Sequence, residues 1–242
     1  VLKSHNVPTA DRAYLVNRVA AEKHPDAKFT AFGGLCLNRP VGGLNPDAVE
    51  TSLKLGAKVI WLPTNTAENH YRKNGKAPSK GVVVTRDGKA VDELQDIFAL
   101  VKQYNAVLAT GHIGAEECFP VVEAARAAGV EKIVITHPEF WVVGMTPEQQ
   151  ADIVRKYDVL LESVYAQPVN GSYKINISDN IAAMKAIGPE HFVISTDSGQ
   201  TVNPYWYESY TTYFKAVSEA FTSEQVRRMT HDNPAWLLDI DQ

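Results

Sequence analysis

A chain of 242 residues, 45% hydrophobic and 21% charged, has the balance of a globular protein with apolar material enough for a large core. Its net charge of −4 excludes a basic surface for nucleic acid or an anionic membrane, and no apolar run approaches the roughly 20 residues of a membrane span. Cys36 and Cys118 read as single buried thiols, which points to a reducing, cytoplasmic setting.

The chain opens on "VLKSHN", which reads as the end of a buried strand followed by the polar residues Lys3, Ser4, His5 and Asn6. A helical pattern, "TADRAYLVNRVAAEKH", comes next, then the apolar run "KFTAFGGLCLN" and the helix "NPDAVETSLKLG". "AKVIWLPT" is the next strand. After it, residues 65–90 form an insertion in which "KNGK" and "RDGK" turns flank "GVVVT", the pattern of a small hairpin or lid. "VDELQDIFALVKQY" then pairs a helix with the strand "AVLATGH", and "AEECFPVVEAARAAG" with "KIVITHP". "TPEQQADIVRKY" leads into "VLLESVY", and "SDNIAAMKAIG" into "HFVISTDSG". The helix "YESYTTYFKAVSEAF" and a last one, "SEQVRRMTHDNPAWLLD", complete the chain. Asn45-Pro46 and Thr146-Pro147 are helix starts, a capping side chain before a proline, and Gly56, Gly129 and Gly188 are helix stops.

Runs of four to eight Val, Ile, Leu and aromatic residues are strands buried on both faces, and their alternation with helices predicts a parallel sheet. No GxGxxG or GxxxxGK[ST] loop follows any of them, which counts against an open nucleotide-binding sheet. The expected fold is therefore α/β, a (β/α)8 TIM-like barrel forming one domain over residues 1–242. Seven strand–helix units are countable, so the first strand is expected to lie before Val1.

Polar residues recur at one end of these strands. Lys3 and His5 end the first run, His112 ends "AVLATGH", His137 ends "KIVITH", Glu162 ends "VLLES" and Asp197 ends "FVISTD". In a parallel barrel those positions meet at the carboxyl-terminal mouth. Two imidazoles and a carboxylate are suitable ligands for a divalent metal, Zn²⁺ foremost and Mn²⁺ or Fe²⁺ as alternatives, at a catalytic centre with an open position. His70 in the insertion is a candidate substrate contact, as are His5 and Glu162. His24, His191 and His231 read as structural.

The order of a His after the fifth strand, a His after the sixth and an Asp after the eighth resembles the amidohydrolase superfamily of metal-dependent barrel hydrolases. The wording "VLKSHN", "LNRPVGGLNPDAVE", "TGHIGAEE", "THPEF" and "STDSGQ" is similar to a branch of it catalogued only as a domain of unknown function. The resemblance implies that His112, His137 and Asp197 are metal ligands and that Asp197 is also the general base. It also implies an HxH pair on the first strand, and no HxH occurs in this sequence. Where dinuclear members carry a bridging lysine or glutamate on strand four, "KVIWLPT" ends in Pro63 and Thr64. One ion is then expected, or two if Lys3, Glu116, Glu117 or Glu162 supplies the bridge.

The favoured expectation is a hydrolase of a C–N or C–O bond in a small amide, imide, lactone or ester, with metal-activated water as nucleophile and Asp197 taking its proton. A metal-free lyase or aldolase using Lys3 as a Schiff base is the alternative, and a non-catalytic barrel that binds a ligand is the third. The partner expected is a small molecule, with a homo-oligomer compatible, and neither nucleic acid nor membrane involved.

Overall fold

The computed structural model describes residues 1–165, 177–201 and 203–240. It divides into two compact units, Val1–Ile133 and Val134–Gln242.

In the first unit, helix α1 (Ala10–Lys23) precedes strand β1 (Gly33–Cys36), and α2 (Pro46–Lys54) leads into β2 (Ala57–Trp61). The insertion contributes α3 (Glu68–Lys73) and a two-stranded hairpin, β3 (Thr85–Arg86) and β4 (Lys89–Ala90). Helix α4 (Leu94–Gln103), β5 (Val107–Ala109) and α5 (Ala115–Ala127) complete it. β1 pairs in parallel with β2, and β2 with β5, with Cys36 opposite Trp61 and Trp61 opposite Ala109. The second unit holds all but the first residue of β6 (Ile133–Thr136), followed by α6 (Pro147–Tyr157), β7 (Leu160–Val164), α7 (Ile177–Ile187), β8 (Phe192–Ser195) and α8 (Trp206–Ala220). β7 lies parallel to both β6 and β8, with Thr136 opposite Glu162 and Glu162 opposite Val193. These are the six strands expected between "KFTAFGGLCLN" and "HFVISTDSG", each followed by a helix, and the fold class is the α/β TIM-like barrel.

The apolar runs form strands because both faces are covered: Leu35, Ile60, Leu108, Ile135 and Leu161 have no exposure. The helix starts follow the proline rule. Asn45 Oδ1 accepts from the Asp47 and Ala48 amides, at 3.1 and 3.3 Å. Thr146 Oγ1 accepts from the Gln149 amide at 3.2 Å, while Gln149 Oε1 accepts from the Thr146 amide at 2.9 Å, a reciprocal capping box. Replacing Thr146 by Ala is expected to lower stability by about 1 kcal/mol, read as a shift in the urea midpoint at constant slope.

Three expectations are corrected. "VLKSH" is not a strand: residues 1–9 follow an irregular path. The Leu2 amide donates to Phe32 O at 2.7 Å, but Leu2 O is taken by the Thr9 hydroxyl at 2.7 Å, a side-chain bond where a ladder would need a backbone amide. Within the insertion the hairpin turns at "RDGK", where Asp87 and Gly88 hold φ of 51° and 73° as a type I′ turn requires, but "KNGK" instead closes a helix, α3. The last helix is three pieces, α9 (Ser223–Arg227), a π-turn over Arg228–Asp232, and α10 (Asn233–Leu238). Pro234 has no N–H to give to a carbonyl four residues back, so the ladder widens by one residue there rather than ending. Among the described residues, no helix is long and apolar enough to cross a membrane.

Candidate active site

At the carboxyl end of β5 the chain runs Thr110-Gly111-His112. Gly111 has φ of +64°, and a Cβ there would sit 2.4 Å from Leu62 O, so only glycine lets the turn press against the end of β2. That approach is fixed by the His112 amide donating to Pro63 O at 3.0 Å. It leaves the His112 side chain 7% exposed.

Two further histidines of the same unit meet it. The His70 and His112 Nδ1 atoms are 2.8 Å apart, with ring planes inclined by 17°. This contact needs one Nδ1–H and one lone pair, so at least one of the two rings is neutral. Burial, then Lys76 and His5, hold the His70 imidazole below its ordinary pKa. His5 lies with its ring centroid 6.0 Å from that of His112. Its Nδ1 is 2.7 Å from Thr64 Oγ1. The insertion therefore does more than cover a loop: α3 carries His70 onto the β5 end, anchored by Asn69 Nδ2 donating to His112 O at 3.0 Å. Lys3 lies nearby along the chain, with Nζ 5.7 Å from the centre of the Trp61 ring, a cation–π contact.

The residue that organises this cluster is Asn38, which the sequence reading passed over. It is wholly buried just beyond β1. Its Oδ1 accepts from the Thr64 amide (2.9 Å), the Thr66 amide (3.2 Å) and the Thr66 hydroxyl (2.9 Å). Its Nδ2 donates to His5 O (2.9 Å) and Thr64 Oγ1 (2.6 Å). Two backbone donors on one side fix which end of the amide is oxygen. Asn38 closes the run "GLCLN", so the rule that picked out His112 and Asp197, a polar residue at a strand's carboxyl end, was enough to find it. Glu117, a candidate bridging ligand, is engaged elsewhere. Its Oε2 accepts from the Gly114 amide at 2.7 Å and its Oε1 from the Thr85 hydroxyl at 3.1 Å, which caps α5 and holds the β3–β4 hairpin.

In the second unit His137 follows β6 and Asp197 follows β8. Both hold left-handed backbone, φ 26° and 44°, rare for residues with a Cβ. His137 is wholly buried and its ring meets Phe140 edge-on at 4.8 Å. The half-buried Asp197 sits in a turn where the Ser198 hydroxyl donates to Ser209 Oγ at 3.1 Å. Glu162 lies on β7, and its charge adds to the burial that pushes the Glu139 carboxyl up to about 7. Cys118, fully buried in α5, has its thiol pushed up by the same desolvation.

Among the described residues, no three His, Cys, Asp or Glu side chains are grouped to hold one metal ion as they stand. The donors fit a divalent metal in kind. The His70–His112 contact requires at least one of those two rings to be neutral, as a ligand must be, and one nitrogen of each of His5, His70 and His112 is already oriented by a neighbour.

A family model described as Family of unknown function (DUF6282) matches residues 1–162. No curated protein sequence matches the chain. Among solved structures it is similar to an amidohydrolase from Pseudomonas aeruginosa, at 11% identity over 95% of this chain and 83% of that one, with a TM-score of 0.62. A 2,6-dihydroxybenzoate decarboxylase from Rhizobium matches at 15% identity over 98% and 81%, TM-score 0.53. An organophosphorus hydrolase from Deinococcus radiodurans matches at 16% over 80% and 61%, TM-score 0.52. All three belong to the amidohydrolase superfamily, and the likeness is one of fold. With two thirds of its length inside the family model, the chain belongs to DUF6282, on the barrel fold of the amidohydrolase superfamily.

Proposed function

We propose that the chain works as a single barrel domain that hydrolyses a C–N or C–O bond of a small amide, imide, lactone or ester with a divalent metal, zinc foremost. His112, His137 and Asp197 would hold the ion. The observation that carries this reading is the backbone at His137 and Asp197 and immediately before His112. His137 and Asp197 hold left-handed φ, and Gly111 does so immediately before His112, each just past the end of a parallel strand. Strain of about 1–3 kcal/mol at a non-glycine residue persists only where the surroundings over-determine it, and it collects at functional sites. A divalent metal supplies Lewis acidity, making water acidic and polarising a carbonyl oxygen. Asp197, on the strained turn, accepts the proton that the attacking water releases. His112 has its Nδ1 held by His70, a contact that orients the ring and would position it as a ligand. His70 and His5 stand beside it as substrate contacts, with Lys3 of the N-terminal segment and Glu162 of β7 as further polar groups of the proposed site.

The Rhizobium decarboxylase of the same fold favours a second reading, loss of CO₂ from an aromatic acid. The test strips the protein with a chelator, then adds Zn²⁺ or Mn²⁺ while following thermal unfolding and the turnover of amides, lactones, esters and aromatic acids. A metal held only by the folded state stabilises it by about 2.7 kcal/mol at 100 times its Kd, so an upward shift in Tm is expected. Absence of any shift with either metal overturns the reading, whatever the substrate. A shift accompanied by CO₂ release and no hydrolysis selects the second reading.

A further inference from the structure

We infer that the second unit carries a binding pocket for a small carboxamide with an apolar body, in the cleft between α6, α7 and β7. This goes beyond the metal-centre reading and does not depend on it. The cleft has a volume of about 530 Å³, within the range of small-molecule sites, and the exposed Ala182 and Ala186 are among the residues that line it. Met145, Phe192 and the small face of α7 give it apolar walls.

Its polar lining comprises Glu139, Gln150, Ser163, Asp179 and Asn180, and two of these form an unbalanced pair. Asn180, 3% exposed, donates from Nδ2 to Val164 O and to the Tyr213 hydroxyl oxygen, both at 3.1 Å. Tyr213 and Ser163 then share one contact of 2.6 Å, although the two hydroxyls own two hydrogens. Tyr213 has no exposure and does not line the cleft, so a hydrogen left on it would be stranded in the core. The satisfied arrangement has Tyr213 donating to Ser163, and the Ser163 hydrogen turned towards the cleft it lines. Across the same cleft, Glu139 Oε1 is buried without a hydrogen-bond partner. Ser163 and Glu139 thus present one donor and one acceptor, each lacking its complement. A carboxamide supplies both, its C=O accepting from Ser163 and its N–H donating to Glu139. The flanking Ala, Met and Phe side chains cover its hydrocarbon part.

The experiment titrates the intact protein with benzamide, with toluene as the apolar comparator, and reads the methyl resonance of Met145. Benzamide is expected to bind about tenfold more tightly than toluene, the worth of one or two hydrogen bonds in a half-closed cleft. Ser163→Ala and Glu139→Leu should each bring benzamide towards the toluene affinity while leaving toluene unchanged. Ala183→Leu, which fills the cleft and removes no polar group, should abolish both, and it stands as the test if either polar variant fails to fold. Equal binding of the two probes, unchanged benzamide affinity in the polar variants, binding that survives Ala183→Leu, or no response of Met145 at all overturns the inference.

Discussion

Replacing His112 by Ala is expected to lower metal affinity by roughly 1000-fold, because removing a ligand exceeds the 10–100-fold that outer-shell partners are worth. Turnover should vanish with the metal. The substitution leaves the strand ends in place, since the His112 amide still bonds Pro63 O and its carbonyl still accepts from Asn69. Far-UV circular dichroism should be unchanged. His70→Ala provides the contrast. It removes the group that orients Nδ1 of His112 while keeping the ligand, so its effect should fall in the 10–100-fold range. Metal content after equilibrium dialysis decides both. Full metal content in His112→Ala, or equal losses in the two variants, would show that the ligand lies elsewhere.

Asn38→Ala is expected to cost about 3 kcal/mol of stability, a large share of the 5–15 kcal/mol that holds a typical domain folded. Three donors lose one shared acceptor: the Thr64 amide, the Thr66 amide and the Thr66 hydroxyl. Thr64 is fully buried and its amide would carry most of the penalty, about 1–3 kcal/mol for an unsatisfied buried group. Thr66 is half-buried and can recruit water. The same change removes the donor to His5 O and one of the partners of Thr64 Oγ1, which loosens the hold on the His5 ring beside His112. Urea unfolding followed by tryptophan fluorescence measures the cost. A midpoint shift worth under about 1 kcal/mol would show that the network contributes little beyond what water replaces.

The sequence by itself determined the elements. The apolar runs from "GLC" to "FVIS" became strands because both faces are buried, and a continuous run is the signature of that burial. Asn45-Pro46, Thr146-Pro147 and the Asp87-Gly88 turn were legible because capping and turn chemistry act within four residues. His112, His137 and Asp197 were legible as candidates because each falls just past the end of a strand, where a parallel barrel is expected to gather its polar groups. Only the tertiary structure decided the rest, and the reason is sequence separation. Asn38 bonds Thr64 and Thr66 across 26 and 28 residues, and His70 meets His112 across 42. No local pattern announces such contacts. "VLKSH" has the composition of a strand, yet residues 1–9 are held by the side chains of Thr9 and Asn38 on distant backbone, and those bonds outweigh local β propensity. The insertion read as a small hairpin or lid, and its helix went unread because it is short. What makes α3 matter is where Asn69 and His70 land, which the fold of the whole first unit sets.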